Sequence, residues 1–255
     1  MIYEISDTQT VSALFDGWEE TLIWSCLQGI MGKIYADNQH HPTAAMAVLG
    51  DFTFFAGKPN AELVSYKPDA CTRDFMIMVP QNEAWKTMIV RVYENKAHLV
   101  SRYAIKKEPN IFDRKKLEGA VSSLPDEYTL CMIDELLYHR CKAEAWSADL
   151  VSQFQGYEEY RRLGLGAVIL RNNAIVSGAS SYSRYREGIE IEIDTRDGYR
   201  QKGLAYVCGA KLILECLNRN LYPSWDAQNR ISVALAKKLG YHYSHAYDAV
   251  EIWGY

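Results

Sequence analysis

Several features that would direct this chain toward particular functions are missing from its sequence. None of its cysteines form a C-x-x-C pair, the spacing typical of zinc sites and redox centres. No apolar run approaches the roughly 18 residues that a membrane-spanning helix requires, and no long basic run favours nucleic acid. We therefore expect a cytoplasmic protein with reduced thiols and with no membrane or nucleic-acid partner. The cysteines are Cys26, Cys71, Cys131, Cys141, Cys208 and Cys216.

Three motifs that each indicate a class of enzyme are also absent. The sequence has no G-x-G-x-x-G dinucleotide fingerprint, no G-x-x-x-x-G-K-[ST] phosphate loop and no G-x-S-x-G nucleophile elbow. Its histidines show no metal-ligand spacing except at His242 and His245, which lie three apart in a predicted strand and so face opposite sides. We expect no metal site.

The composition is that of a globular protein with a substantial core. The chain has 255 residues, of which 48% are hydrophobic and 24% are charged, and its net charge is −4. This length allows one large domain or two small lobes. We place a boundary near Pro125, which gives an N-terminal α/β lobe over 1–125 and a second domain over 126–255. The first lobe is either a separate arrangement or a degenerate copy of the second.

Hydrophobic periodicity assigns elements to the first half. Apolar residues at helical spacing predict a helix over 8–29, and Gly50-Asp51 between two apolar runs predicts a hairpin turn. Further strands are expected at about 33–37, 43–49, 52–56, 75–79 and 98–105, with helices at 83–94 and 112–121.

The second half alternates strands and helices. Asn172-Asn173 predicts a two-residue hairpin turn, because asparagine tolerates a positive φ. Strands are expected at 128–133, 167–171, 174–180, 188–195, 222–226, 241–247 and 249–253, and helices at 134–142, 147–154, 204–219 and 229–238.

The most informative stretch is residues 190–205. Isoleucines alternate with acidic residues as far as Asp194, which predicts a strand, and Asp197-Gly198 ends it. A helix then begins near Gly203, and its spacing predicts an inner face of Val207, Ala210, Leu214 and Leu217. A glycine turn that opens a helix leaves several backbone N–H groups pointing one way, at the positive end of the helix dipole. Such a turn suits an anion such as a pyrophosphate, and glycine lets the phosphates approach the backbone.

Two motifs in this half resemble the GNAT superfamily of acyl-CoA-dependent N-acetyltransferases. RQKGLA at residues 200–205 matches the R/Q-x-x-G-x-G/A signature. WDAQNRIS at 225–232, followed by LGY at 239–241, resembles the second motif, N-x-x-S and then K-L-G-F/Y. The chain is most similar to the group that includes the zwittermicin-resistance acetyltransferases. The resemblance implies an α/β (α+β) fold with a mixed, largely antiparallel GNAT-type sheet flanked by helices, and the N-terminal lobe packed against it.

The resemblance also implies a co-substrate, acetyl-CoA, and the residues that bind it. Backbone groups near Ile193 and Thr195 would meet the pantetheine arm and the acetyl carbonyl. Backbone N–H groups of residues 201–205 would hold the pyrophosphate, while Arg200 and Lys202 add positive charge. The implied coenzyme-binding residues are Ile193, Thr195, Arg200, Gln201, Lys202, Gly203, Leu204, Ala205, Asn229 and Ser232. In this fold, strands 188–195 and 222–226 splay apart and the arm enters between them.

Transfer of an acetyl group to an amine requires a proton acceptor, because an ammonium has no lone pair. We favour Glu192 for this role and Glu190 after it, since both face away from the isoleucines. The alternative is that both glutamates belong to a solvated face. The sequence departs from the family at Ala236, where many members carry the tyrosine that protonates the leaving thiolate.

Three functions remain open from the sequence. The first is acetyl transfer to a primary amine of a small molecule, such as an aminopolyol-type antibiotic or a metabolite, by a monomer or homodimer. The second is a coenzyme-A-binding module without catalysis, which Ala236 favours. The third is acetylation of a protein N-terminus or a lysine, which would need an open peptide groove.

Overall fold

A computed structural model gives the fold and describes residues 1–69 and 71–255. Contacts divide the chain into two compact units, which we call the first unit (Met1–Arg102 with Ala246–Tyr255) and the second unit (Tyr103–His245). In the part of the chain described, no helix is long and apolar enough to cross a membrane.

Strands and helices alternate along the chain. The strands are β1 (Tyr3–Glu4), β2 (Lys33–Ala36), β3 (Ala44–Leu49), β4 (Phe52–Gly57), β5 (Phe75–Pro80), β6 (Ala97–Ile105), β7 (Thr129–Met132), β8 (Gly166–Arg171), β9 (Ala174–Tyr185), β10 (Gly188–Thr195), β11 (Tyr222–Ser224), β12 (Asp226–Ala227) and β13 (Tyr243–Trp253). The helices are α1 (Gln9–Ser12), α2 (Thr21–Leu27), α3 (Ala61–Ser65), α4 (Glu83–Tyr93), α5 (Arg114–Ser122), α6 (Glu135–Ala143), α7 (Tyr157–Leu163), α8 (Leu204–Asn218) and α9 (Arg230–Leu239).

The first unit is built on the strand order β1-β2-β3-β4-β5-β13. Its pairs are antiparallel except β4 with β5, which run parallel. The predicted turn at Gly50-Asp51 is confirmed, since Leu49 pairs with Phe52 across it. The core includes Phe55 and Trp85, whose rings stack with centroids 5.2 Å apart.

The single helix predicted over 8–29 is wrong. Two short helices, α1 and α2, replace it, and the chain turns between them at Gly17, where φ is 75°. A positive φ cannot continue a right-handed helix. Apolar residues such as Val11 and Phe15 produced the helical periodicity. Both are buried, but they lie in separate short helical segments.

The second unit has a five-stranded sheet in the order β11-β10-β9-β8-β7. Neighbours are antiparallel except β10 with β11. The predicted hairpin turn between β8 and β9 is confirmed, with φ of 48° at Asn172 and 63° at Asn173. With the first unit's sheet, this confirms the predicted fold class, α/β with largely antiparallel sheets flanked by helices.

Helix α8 lies at the centre of the second unit's core. Of the predicted inner face, Val207, Ala210 and Leu214 are buried, whereas Leu217 is only half-buried. Other positions around the helix are buried as well, including Leu212 and Cys216. Helix α8 packs both against strands β8, β9 and β10 and against α5.

Two other element predictions need correction. The helix predicted over 147–154 is only a 3-10 turn at Ala148–Leu150, and the two closing strands are one strand, β13. The compact units also divide the chain elsewhere than Pro125, because residues from Tyr103 onward, including α5, pack with α8. The division into folding domains at 125/126 and the degenerate-copy hypothesis stay predictions.

Candidate active site

The first feature of the site is a gap between two parallel strands. Strands β10 and β11 pair at only three positions, of which the last joins Glu190 to Ser224. Strand β10 then continues to Thr195, while the chain after Ser224 leaves to form β12, which pairs with β6. From Ile191 onward, β10 therefore has β9 on one edge and, among the residues that the structure describes, no paired strand on the other. We call the Glu190–Ser224 pair the vertex of this gap.

The second feature is the N-terminus of α8. Gly203 occupies the N-cap position in the left-handed region, with φ of 80°, and no side chain caps the helix. Gln201 also has a positive φ, 63°. Within the described residues, no protein group accepts a hydrogen bond from the backbone N–H of residues 201–205. Because this helix has 15 residues, these donors lie at the positive end of a full dipole.

Open space lies in front of these N–H groups. A Cβ built at Gly203 meets no atom within 4 Å, and Gln201, Lys202 and Gly203 are exposed. An anion can therefore approach the backbone directly. The donor set and the space fit a pyrophosphate, as the RQKGLA motif predicts.

Both basic side chains of the motif lie at the turn. The Arg200 guanidinium is 3.2 Å from Asp197 and donates to the carbonyl of Thr195 at 3.2 Å. The Lys202 ammonium lies 4.9 Å from the centre of the Tyr199 ring. Arg200 thus braces the turn, while exposed Lys202 adds charge beside the N–H groups.

The end of β10 is held by polar contacts. The buried Thr195 hydroxyl is 2.8 Å from the Ser177 hydroxyl, and the Thr195 N–H donates to Asp194 Oδ1 at 2.6 Å. Burial raises the pKa of the Asp194 carboxyl. The Ile193 side chain reaches the face of α8 at Gly209. The backbone N–H of Thr195 is therefore already hydrogen-bonded within the protein. A ligand at this strand would contact the backbone groups of the residues next to Thr195.

Asn229 and Ser232 meet at the start of α9. The Asn229 Oδ1 caps the helix by accepting from the Ser232 N–H at 2.9 Å. This bond uses the oxygen of the Asn229 amide and does not involve its NH₂ group. Both residues therefore have a structural role beside the coenzyme role that the resemblance implies.

The two candidate bases differ in exposure. Glu190 is buried, with 7% of its surface exposed, whereas Glu192 is half-buried. Across the sheet, Glu190 lies opposite Ser183 and Glu192 opposite Ser180, both fully buried. The alternative of a solvated face is therefore wrong for Glu190.

The structure adds two residues at the vertex that the sequence reasoning missed. Ser224 is 1% exposed, and its hydroxyl is 2.9 Å from the hydroxyl of Tyr185, which is 2% exposed. Only the register between β10 and β11 reveals them, because Tyr185 and Ser224 are 39 residues apart in the chain. Ala236 is fully buried, and its methyl side chain carries no proton donor.

Nearby Tyr241 is a packing residue. It is 2% exposed, its ring lies edge-on to Trp225 at 5.6 Å, and its hydroxyl donates to the carbonyl of Pro223 at 2.7 Å. In the described ranges, no cluster of three or more His, Cys, Asp or Glu residues is arranged to hold a metal ion.

Comparisons with known proteins define the class. A family model described as GNAT acetyltransferase matches residues 12–250. A solved structure of a GCN5-related N-acetyltransferase-like protein from Streptococcus suis is 45% identical, covers 97% of this chain and 98% of its own, and superposes with a TM-score of 0.91. The chain therefore belongs to the GNAT acetyltransferase family.

Two further relatives agree. An uncharacterised N-acetyltransferase of Bacillus subtilis, YdfB, is 27% identical over 236 residues, covering 89% of this chain and 88% of YdfB. A tandem GNAT protein from the clavulanic acid biosynthesis pathway is 9% identical, with a TM-score of 0.55 over 100% of this chain and 99% of its own, which shows the fold alone. The protein is accordingly a GNAT N-acetyltransferase, a family that generally uses acetyl-CoA.

Proposed function

We propose that the protein transfers an acetyl group from acetyl-CoA to a primary amine of a small molecule. The observation that carries the proposal is the position of the gap relative to the uncapped helix. The free edge of β10 runs from Thr195, beside the turn into α8, to Ile191, beside the vertex. These four residue steps span roughly 13 Å, within reach of an extended pantetheine arm whose pyrophosphate sits on α8.

Each coenzyme-binding group has a defined task in this proposal. The N–H groups of residues 201–205 bind the pyrophosphate, and Lys202 adds charge. The amide of Asn229 and the hydroxyl of Ser232 face the arm, while the backbone of β10 near Ile193 binds along it. Acetyl-CoA supplies the activated acetyl group.

The amine must lose a proton before it attacks the thioester carbonyl. We assign this proton to Glu192 first and to Glu190 second, both on the strand that borders the gap. A half-buried carboxylate such as Glu192 can exchange protons with the acceptor and with water, whereas buried Glu190 lies at the vertex itself.

The acceptor is the finer part of the proposal. The similarity to the zwittermicin-resistance group favours an aminopolyol-type antibiotic or a metabolite that carries primary amines. A cytoplasmic protein, monomeric or homodimeric, would meet such an acceptor inside the cell. The competing function is a coenzyme-A-binding module without catalysis, and buried Ala236 is the observation that favours it.

Release of coenzyme A from acetyl-CoA tests the function. We would measure turnover with polyamines and aminopolyols, and with their fully N-acetylated forms as matched controls. We expect turnover only with free amines. Glu192→Gln should lower kcat by about 100-fold through loss of the base, with unchanged affinity for acetyl-CoA.

The matched control for this variant is Glu187→Gln, an exposed glutamate in the turn before the same strand. It should leave kcat unchanged. Equal kcat and an equal pH profile for Glu192→Gln and the wild type would refute Glu192 as the base. Binding of acetyl-CoA without turnover of any amine in the panel would favour the non-catalytic module.

A further inference from the structure

The leaving thiolate has no tyrosine at the position where many relatives supply one. Ala236 stands there and is fully buried in the core of the second unit. Cleavage of the thioester leaves an electron pair on sulfur, and a hydrogen-bond donor at that sulfur stabilises it. In this chain, another group near the sulfur of bound coenzyme A would have to donate that hydrogen bond.

The free edge of β10 ends at the vertex, so a ligand that follows this edge from α8 brings its far end there. Ser224 is the residue of β11 at the vertex. It lies directly opposite Glu190, and residues paired in register project from the same face of a sheet. The vertex therefore places a hydroxyl beside the strand that carries both candidate bases.

Tyr185 forms a hydrogen bond with this hydroxyl. Its own hydroxyl is 2.9 Å from Ser224 Oγ, and both residues are buried. Burial raises the pKa of the Tyr185 phenol well above its ordinary value, the Ser224 bond lowers it, and Glu190 raises it further. The phenol keeps its proton at neutral pH. When it donates to Ser224 Oγ, the serine hydrogen is left to point elsewhere.

Two other hydroxyls close to the gap are already committed, and the buried Ser183 hydroxyl, which has no hydrogen-bond partner among the described residues, lies on β9, across β10 from the gap. The Tyr241 hydroxyl donates to the Pro223 carbonyl at 2.7 Å, and the Ser177 hydroxyl is paired with Thr195 at 2.8 Å. Neither is directed along the free edge of β10 without breaking a buried bond. Ser224 is the hydroxyl that the register places at the vertex.

We propose that Ser224 donates a hydrogen bond to the coenzyme A sulfur as it leaves, and that Tyr185 is the positioning residue for this hydroxyl. The inference rests on the proposed function. In the step concerned, the amine nitrogen bonds to the carbonyl carbon, the carbon–sulfur bond breaks and sulfur keeps the pair. The ammonium proton goes to the carboxylate base, and Ser224 keeps its own proton.

The pKa of the bound coenzyme A thiol tests the proposal without an acceptor. We would titrate the protein–coenzyme A complex by ultraviolet absorbance of the thiolate and subtract the same titration with desulfo-coenzyme A, which lacks the sulfur. We expect Ser224→Ala to raise the bound thiol pKa by about one unit, since a hydrogen bond to a charged group is lost. Tyr185→Phe should raise it less, and Ser224→Thr should restore the wild-type value.

Ser177→Ala is the matched control, because it removes another buried serine hydroxyl from the same unit. It should leave the thiol pKa unchanged. If Ser224→Ala fails to fold, Tyr185→Phe, with its smaller expected rise in the thiol pKa, carries the test. Coenzyme A binding with one thiol pKa in all variants would overturn this inference alone. Absence of coenzyme A binding to the wild type would overturn the proposed function and this inference together.

Discussion

Among the described pairings, each unit contains a parallel strand pair, and the two pairs differ where function is expected. In the first unit, β4 and β5 stay paired over four positions, from Phe52 with Ile77 to Phe55 with Pro80. In the second unit, β10 and β11 separate after three, although β10 runs on. In both units a helix connects the two strands of the pair, yet the sheet is closed in one unit and opens into a gap in the other.

The turns after the first parallel strand show the same contrast. Gly57 and Gly203 have nearly equal φ values, 82° and 80°. A Cβ at Gly57 would collide with the carbonyl oxygen of Thr43, and the Gly57 N–H and carbonyl bind Gln81 and Trp85. A Cβ at Gly203 meets nothing. At Gly57 the missing side chain allows another segment of the protein to approach the backbone. At Gly203 the same space is open to a ligand.

The connecting helices complete the comparison. In α3, which has five residues, the Asn60 side chain accepts from the Leu63 N–H at 3.1 Å. In α8, which has 15 residues, the N-cap is glycine and no side chain takes that place. An unused helix N-terminus in open space, with a gap beside it, is therefore what distinguishes the second unit.

The largest expected effect is the difference in the free energy of unfolding between the variants Gly57→Ala and Gly203→Ala. Gly57→Ala adds backbone strain and a collision, so we expect a loss of about 3 kcal/mol in the free energy of unfolding. Gly203→Ala adds strain alone, about 1 kcal/mol. Urea unfolding of both variants measures the difference. Equal losses would mean that Gly203 is as tightly enclosed as Gly57.

The two asparagine caps give a smaller, matched pair. Asn60→Ala and Asn229→Ala each remove an oxygen that accepts a backbone N–H, at 3.1 and 2.9 Å. We expect each to cost about 1 kcal/mol in urea unfolding. Only Asn229→Ala should also weaken coenzyme A binding in calorimetry. An equal effect of both variants on affinity would remove Asn229 from the coenzyme site.

The smallest effect concerns the pH dependence of Asp194. Burial raises the pKa of its carboxyl, so the folded protein binds that proton more tightly than the unfolded chain. This contribution to stability is present at acid pH and is lost as the pH rises through the raised pKa. Asp194→Asn keeps an oxygen for the Thr195 N–H and cannot titrate. Its stability relative to the wild type should therefore be greater at pH 7 than at pH 3.

Thermal or urea unfolding at several pH values measures this difference in stability between Asp194→Asn and the wild type. Exposed Asp126→Asn is the control and should show no comparable change. A stability difference between Asp194→Asn and the wild type that is constant with pH would contradict the account.

Local features of the site were predictable from the sequence, and long-range ones were not. Alternation up to Asp194 and the glycine at 203 predicted the strand, the turn and the start of α8. Asn229 and Gly240 bound α9 by capping, which local chemistry dictates. The burial of Glu190 and the pairing of Ser224 at the vertex depend on strand register, which is set by distant segments.

The failures have the same origin. The segment predicted as one helix over 8–29 has helical periodicity, yet Gly17 turns the chain there and both helices bury their apolar residues separately. The amphipathic pattern of α8 indicated one buried face, whereas the helix packs both against the sheet and against α5. Hydrophobic periodicity identifies the residues that are to be buried. Tertiary contacts determine which elements of secondary structure bury them.

Calorimetric titration with acetyl-CoA and coenzyme A tests the central claim, that the N-terminus of α8 binds the coenzyme. We would compare the wild type with Gly203→Val, which fills the space before the N–H groups, and with Gly17→Val, which has similar strain in the first unit, at a φ of 75°. We expect micromolar binding to the wild type and to Gly17→Val, and none to Gly203→Val. No binding to the wild type, or equal binding to all three proteins, would contradict the central claim.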